Sequence, residues 1–256
     1  GGGEGTPAGT NAPSPGRPGE GGVVTLLPAL RRRLGLSAEL GGVKAPAREC
    51  SGLVLLSGSH RTTEQLQRFF TGARQRGQYP ATYRAVTVGV PAEAEGEVHT
   101  GLCWQQQGGG AVVRGCRWAG GAGTPRGVGG AVLLQVVPVP APGRRSLGGG
   151  EVKSTLTRYR VLGAASGGGV LQLQPKTAFP EQLPVHLTLL LCPALGDHKH
   201  SARVGRVLGV PFLLPPEAVP THTQVLDEEL LCRLGRGGRQ LHHLPLHLHL
   251  QQLELG

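Results

Sequence analysis

Side chains able to do acid, base or nucleophilic chemistry are thinly spread in this sequence. Sixteen of 256 residues are Asp or Glu, and the aspartates are Asp197 and Asp227 alone. The stretch KAPARECSGLVLLSG, residues 44–58, has the form of a catalytic loop running into a strand. An acid in such a loop would serve as nucleophile or base, yet position 47 is an alanine. Glu49 is two residues away, with a longer side chain and a different register, and reads as a solvated loop carboxylate or a weak substitute acid.

Other constellations fail on spacing. His198 and His200 flank Lys199, and His242, His243, His247 and His249 crowd the C-terminal end, without the spacing of a zinc site. His247 and His249 alternate with leucines and read as exposed or half-buried strand residues. The run GGAGTPRGVGG lacks the Gly-Lys-Ser/Thr ending and flanking elements of a phosphate loop. Five cysteines, odd in number and with no C-x-x-C pair, argue against a disulfide framework and for reduced thiols in an intracellular compartment. No metal and no cofactor is expected.

Charge points to a polyanionic partner. Lys and Arg number 26 against the 16 acids, a net charge of +10, the balance of a protein that binds nucleic acid; a basic protein whose charge only aids solubility is the plainer reading. No apolar run reaches the eighteen or so residues needed to cross a bilayer, because LTLLLCPAL meets Pro193 and then GDHKH. The 44 glycines and 21 prolines leave little core-forming material for the length, so part of the chain is expected to be unfolded. There is no methionine, and the natural N-terminus is expected to lie elsewhere.

The elements that would carry a site can be read in order. Residues 1–22 are Gly/Pro-rich and expected to be disordered, leaving one domain over 23–256. VVTLLPALRRRLGL has a short helical spacing with Arg31, Arg32 and Arg33 on its polar side. SGLVLLSG reads as a buried strand. RTTEQLQRFFTGARQR reads as a basic helix with Leu66, Phe69, Phe70 and Ala73 on one face, capped by Thr62 or Thr63. ATYRAVTVGVP reads as a strand, and about 104–134 as a Gly-rich insertion. LTRYRVLGAASGGGVLQLQPK makes two strands around a glycine turn, FPEQLPVHLTLLLCPAL is partly helical, QVLDEELL is helical, and LPLHLHLQQLEL alternates as a terminal strand. The order predicts an α+β domain, a largely antiparallel mixed sheet with flanking helices.

Four of these segments resemble the RluA-type RNA pseudouridine synthases. RECSGLVLLSG is similar to the end of the family's His-Arg-Leu-Asp loop and following strand, and TYRAVTVGVPAEAEGEV to its Lys-x-Tyr-x-Ala-x-Val-x-Gly strand. QLPVHL with PALGDHKH is similar to Gln-Leu-Arg-Val-His and Pro-Ile-x-Gly-Asp, and LPLHLHLQQLEL to the closing Leu-His-Ala strand. The likeness spans roughly residues 40–102 and 137–253 in the family's order, and is strongest to its mitochondrial, mRNA-modifying members.

The resemblance implies the pseudouridine synthase catalytic-domain fold and a base-flipping pocket, with two departures. Ala47 stands at the nucleophilic aspartate, where detaching uracil develops positive charge at the anomeric carbon and calls for a carboxylate. Pro184 stands at the arginine that pairs with that acid. Tyr83 matches the tyrosine that packs on the target base, although a lone strand tyrosine is also ordinary core. Arg48 and Lys44 are the expected RNA contacts at the pocket mouth. The implied function is an RNA-binding protein of the mitochondrial matrix, acting on mitochondrial mRNA or rRNA alongside RNA-processing or ribosome-assembly proteins and catalytically impaired by itself. An active uridine-to-pseudouridine isomerase using another acid and a basic structural protein of the mitochondrial ribosome are the alternatives.

Overall fold

The computed structural model describes residues 26–47, 49–106, 134–139, 152–165, 167–215, 218, 223–235 and 238–255. The segment 1–22, Arg48 and residues 107–133 of the Gly-rich stretch lie outside the described residues.

Alternation of apolar and polar residues builds a seven-stranded sheet. Its members are β2 (Ser51–Gly52), β4 (Ala81–Val88), β5 (Glu95–Gln106), β6 (Leu134–Val139), β7 (Lys153–Ala165), β8 (Gly168–Pro175) and β11 (Leu248–Leu253), in the order β2-β11-β4-β8-β7-β5-β6. Every neighbouring pair is antiparallel except β11 with β2, which is parallel. The expected α+β architecture with a largely antiparallel mixed sheet is therefore the one formed. β7 and β8 make the hairpin read around the glycines, and β5 pairs with β6 as far as Gln106 and Leu134. Both ends of the stretch taken as an insertion, 104–106 and 134, thus belong to the ladder.

One face of the sheet collects the alternating residues Tyr83, Ala85, Tyr159, Leu171, Leu173, Leu248 and Leu250, all buried, against Leu183 and Leu187 of helix α3 (Gln182–Leu189). Each such leucine contributes about 1.5–3 kcal/mol relative to leaving it in water. The remaining helices are α1 (Leu27–Arg33), α2 (His60–Gln75) and α4 (Glu228–Arg233). A small sheet of β1 (Gly41–Lys44) and β3 (Leu55–Ser57) abuts α2, where Gln67 Nε2 donates to the Gly42 carbonyl at 2.9 Å. A second small hairpin joins β9 (Val204–Val207) to β10 (Val210–Leu213).

Two expectations are corrected. SGLVLLSG is not one buried strand: Ser51–Gly52 joins the large sheet, Leu55–Ser57 joins the small one, and Leu53 and Val54 between them are exposed. Gly52 makes the break, holding φ at +136° where a Cβ would collide with the Leu250 backbone. Helix α2 is capped by Ser59, whose hydroxyl accepts from the Thr62 N–H at 3.4 Å; Thr63 instead donates its hydroxyl to the Ser59 carbonyl at 3.0 Å.

Candidate functional site

Between the small sheet, α2, β4 and the start of α3 lies a cavity of about 490 Å³, within the roughly 300–1,000 Å³ of small-molecule pockets. β1 ends at Lys44 on its wall, and the following loop adds Ala45, Pro46, Ala47, Glu49 and Cys50. Phe70 and Arg74, four residues apart and so on one face of α2, form a second wall. Tyr83 comes from β4, the chain from Pro175 to Pro184 closes the far side, and Leu246 and Leu248 lead into β11.

Lys44, Ala47, Tyr83 and Pro184, separated by up to 140 positions in sequence, thus share one cavity. Tyr83 is 7% exposed, and burial, with Cys50 nearby, pushes its phenol up to about 12. The ring is neutral at physiological pH, a flat surface suited to a base. Ala47 is exposed and Pro184 half-buried, and neither brings charge to the cavity.

Sequence reasoning missed two further charged groups. The sequence marks Arg74 only as one charge of a basic helix; its place four residues after the buried Phe70 is the signal that separates it from Arg61, Arg68 and Arg76, which do not line the cavity. Burial lowers Arg74 from its ordinary value, opposed by Tyr83, and burial together with Arg74 lowers Lys44. Glu181 was missed because nothing in FPEQLPVHL marks an acid as inward. It precedes α3 with φ at +57°, in the left-handed region, and its carboxylate accepts from Lys199 Nζ and from His200 Nε2, the latter at 3.1 Å. Burial pulls the Glu181 carboxyl up, but the hydrogen bonds from His200 and Lys199 outweigh it and leave it below the usual range.

Neither aspartate lines the cavity. Asp197 is buried and accepts the backbone N–H groups of Lys199 and His200 at 3.0 and 2.9 Å, shaping the turn that offers both side chains to Glu181. Asp227 caps α4 by accepting the Leu230 N–H at 2.8 Å. Cys50 is no replacement nucleophile: burial, with Glu49 adding to it, pushes its thiol up to about 12, so the reactive thiolate is scarce. Glu49 lines the cavity from the same loop and is exposed.

Gln182 fixes the start of α3. Its amide donates to the Leu156 carbonyl at 3.2 Å and to Thr157 Oγ1 at 2.9 Å, and its carbonyl accepts from Thr177 Oγ1 at 2.9 Å. His186, on the buried side of α3, meets Thr155 Oγ1 at 3.0 Å. The C-terminal histidines are bound singly: His249 Nδ1 to Ser51 Oγ at 2.9 Å, His247 to the Pro245 carbonyl, and His242 to Thr223. Among the described residues no group of three metal-ligating side chains forms.

No family model matches the sequence. A human solved structure, RNA pseudouridylate synthase domain containing 4, superimposes with a TM-score of 0.61 and 26% identity, covering 90% of this chain and 73% of that one. The fold is that of the RNA pseudouridylate synthase domain proteins. The mitochondrial mRNA pseudouridine synthase RPUSD3 of Bos taurus is 44% identical over 244 residues, 95% of this chain and 64% of that protein. The mitochondrial pseudouridylate synthase RPUSD4 of Xenopus tropicalis is 34% identical over 236 residues, 91% of this chain and 63% of that protein. The chain is a homologue of these mitochondrial pseudouridine synthases and spans slightly less than two thirds of their length.

Proposed function

We propose that the chain is a mitochondrial RNA-binding relative of the pseudouridine synthases that holds a nucleotide of mRNA or rRNA in this pocket and does not isomerise it unaided. One observation carries the reading: the cavity that gathers Lys44, Tyr83 and Pro184 meets the loop of the expected nucleophile at Ala47. A methyl can neither bond to the anomeric carbon nor stabilise charge there. With proline at the partner position, both halves of the expected acid–arginine pair are replaced by uncharged side chains. Tyr83 supplies the surface for the base, Lys44 a contact at the pocket, and Arg48 a further contact from the same loop. The net charge of +10 supports affinity for RNA, and the names of the homologues support the mitochondrion, with the matrix as the compartment of its RNA.

An active isomerase is the second reading, favoured by the homologues' names and by two carboxylates, Glu49 and Glu181, on the cavity wall. Both Glu181 oxygens are engaged by Lys199 and His200, which leaves Glu49 as the free acid. The test is tritium release from C5-labelled uridine in a mitochondrial RNA that the protein binds. The proposal expects binding without release above one equivalent; turnover abolished by Glu49→Ala would establish the second reading.

A further inference from the structure

Lys44 and Arg74 line the same cavity, and neither has an ion pair among the described residues. Glu181 is taken up by Lys199 and His200, and Glu49 pairs with neither cation. Two half-buried cations that have lost water and repel each other are stabilised by an anion placed between them. Guanidinium and ammonium together fit a phosphate, the first as a two-pronged donor and the second as a point charge. The rest of the lining is largely apolar, with Phe70, Tyr83 and Leu248 offering surface for a base and Glu49, Thr177, Glu181 and Gln182 as its polar members.

A phosphodiester inside a strand is tethered on both sides to sugars outside the cavity. A phosphomonoester has one tether and close to two negative charges at neutral pH, so it can enter to reach cations set into the wall. Building on the RNA-binding reading, we propose that the pocket binds a nucleotide by its terminal phosphate, seated on Lys44 and Arg74, with the base against Tyr83. The phosphate comes from an RNA end or from a free mononucleotide.

Calorimetric titration of the chain with uridine 5′- and 3′-monophosphate, uridine and inorganic phosphate tests this, beside a uridine-rich RNA decamer with a phosphorylated or hydroxyl terminus. A monophosphate is expected to bind about tenfold or more tighter than uridine, the size of a charge-assisted contact. Arg74→Gln and Lys44→Gln should each remove most of that margin, read as the ratio of monophosphate to uridine affinity in each variant, and Ala47→Asp should reduce it by providing an internal anion. Thermal melts check that the variants fold; if one does not, the monophosphate–uridine comparison on the unaltered chain still decides. A decamer that gains about tenfold from its terminal phosphate identifies an RNA end as the source, and one indifferent to it while the monophosphate binds identifies the free nucleotide. Equal binding of monophosphate and uridine, or folded variants with full monophosphate affinity, overturns the proposal. RNA bound without regard to its terminus, with monophosphate and uridine alike, sinks this inference and spares the RNA-binding reading. Monophosphate bound with no affinity for RNA does the reverse.

Discussion

At position 47 a methyl group opens onto a cavity lined by two cations, Lys44 and Arg74, and two carboxylates, of which Glu181 is engaged by Lys199 and His200 and Glu49 is exposed. In the function proposed, such a pocket attracts a negative ligand and the Tyr83 ring is the surface for the base. Tyr83→Ala should weaken binding of uridine-containing RNA by about 1–3 kcal/mol, the scale of one base stacked on an aromatic ring. Tyr83→Phe should keep most of it, since no hydrogen bond to the phenol is formed among the described residues. Affinity measured across the two variants separates ring from hydroxyl; equal loss in both would remove stacking from the account. Of the site, Ala47, Tyr83, Lys44 and Pro184 were legible in the sequence because short motifs in a fixed order mark them. Arg74 and Glu181 were not, because a side chain's direction depends on which face of a helix packs and on a left-handed turn that no local pattern announces.

The elements that hold this pocket place their own limits on stability. Gly52 keeps a positive φ and lies against the Leu250 backbone where β2 meets β11. Gly52→Ala should cost about 1–3 kcal/mol from backbone strain alone, with the collision adding to it, and should lower the melting temperature while loosening the loop that carries Lys44 to Cys50. An unchanged melt would show that β2 is not what anchors the loop. In α3, burial with His99 nearby lowers His186 to about 4. Its unfolded form takes up a proton near pH 6.5 and the folded form does not, so stability is full above that value and declines as pH falls from about 6.5 to 4. The loss reaches about 3 kcal/mol. His186→Gln should flatten that part of a stability–pH curve from denaturant melts. The Glu181 carboxyl is likewise lowered, so its contribution is present above its ordinary value near 4.5 and is lost as pH falls below that value toward the depressed folded one. The element reading from sequence succeeded where periodicity was long, in α2, β4 and the β7–β8 hairpin. It failed at SGLVLLSG, whose apolar run hides the partition between two sheets at Gly52. Ser59 was passed over as the cap because the helix starts a residue earlier than the Arg61 from which it was read.

Across the whole molecule, a net charge of +10 makes the proposed RNA affinity an electrostatic quantity. A logarithmic plot of affinity against salt should be linear and steep, with slope near −0.7 for each phosphate neutralised on a single strand; a flat plot would assign binding to stacking alone. Fold and sequence make the chain similar to proteins named as pseudouridine synthases, while the residue at the expected nucleophile, Ala47, lacks the chemistry. In the function proposed, RNA binding has outlived catalysis in this pocket. The most direct measurement incubates excess C5-tritiated, uridine-containing mitochondrial RNA with the chain under conditions where binding is saturated, and follows tritium released to water. A bound complex with no release above one equivalent of protein is expected; release that exceeds the protein in stoichiometry would show that the pocket is catalytic.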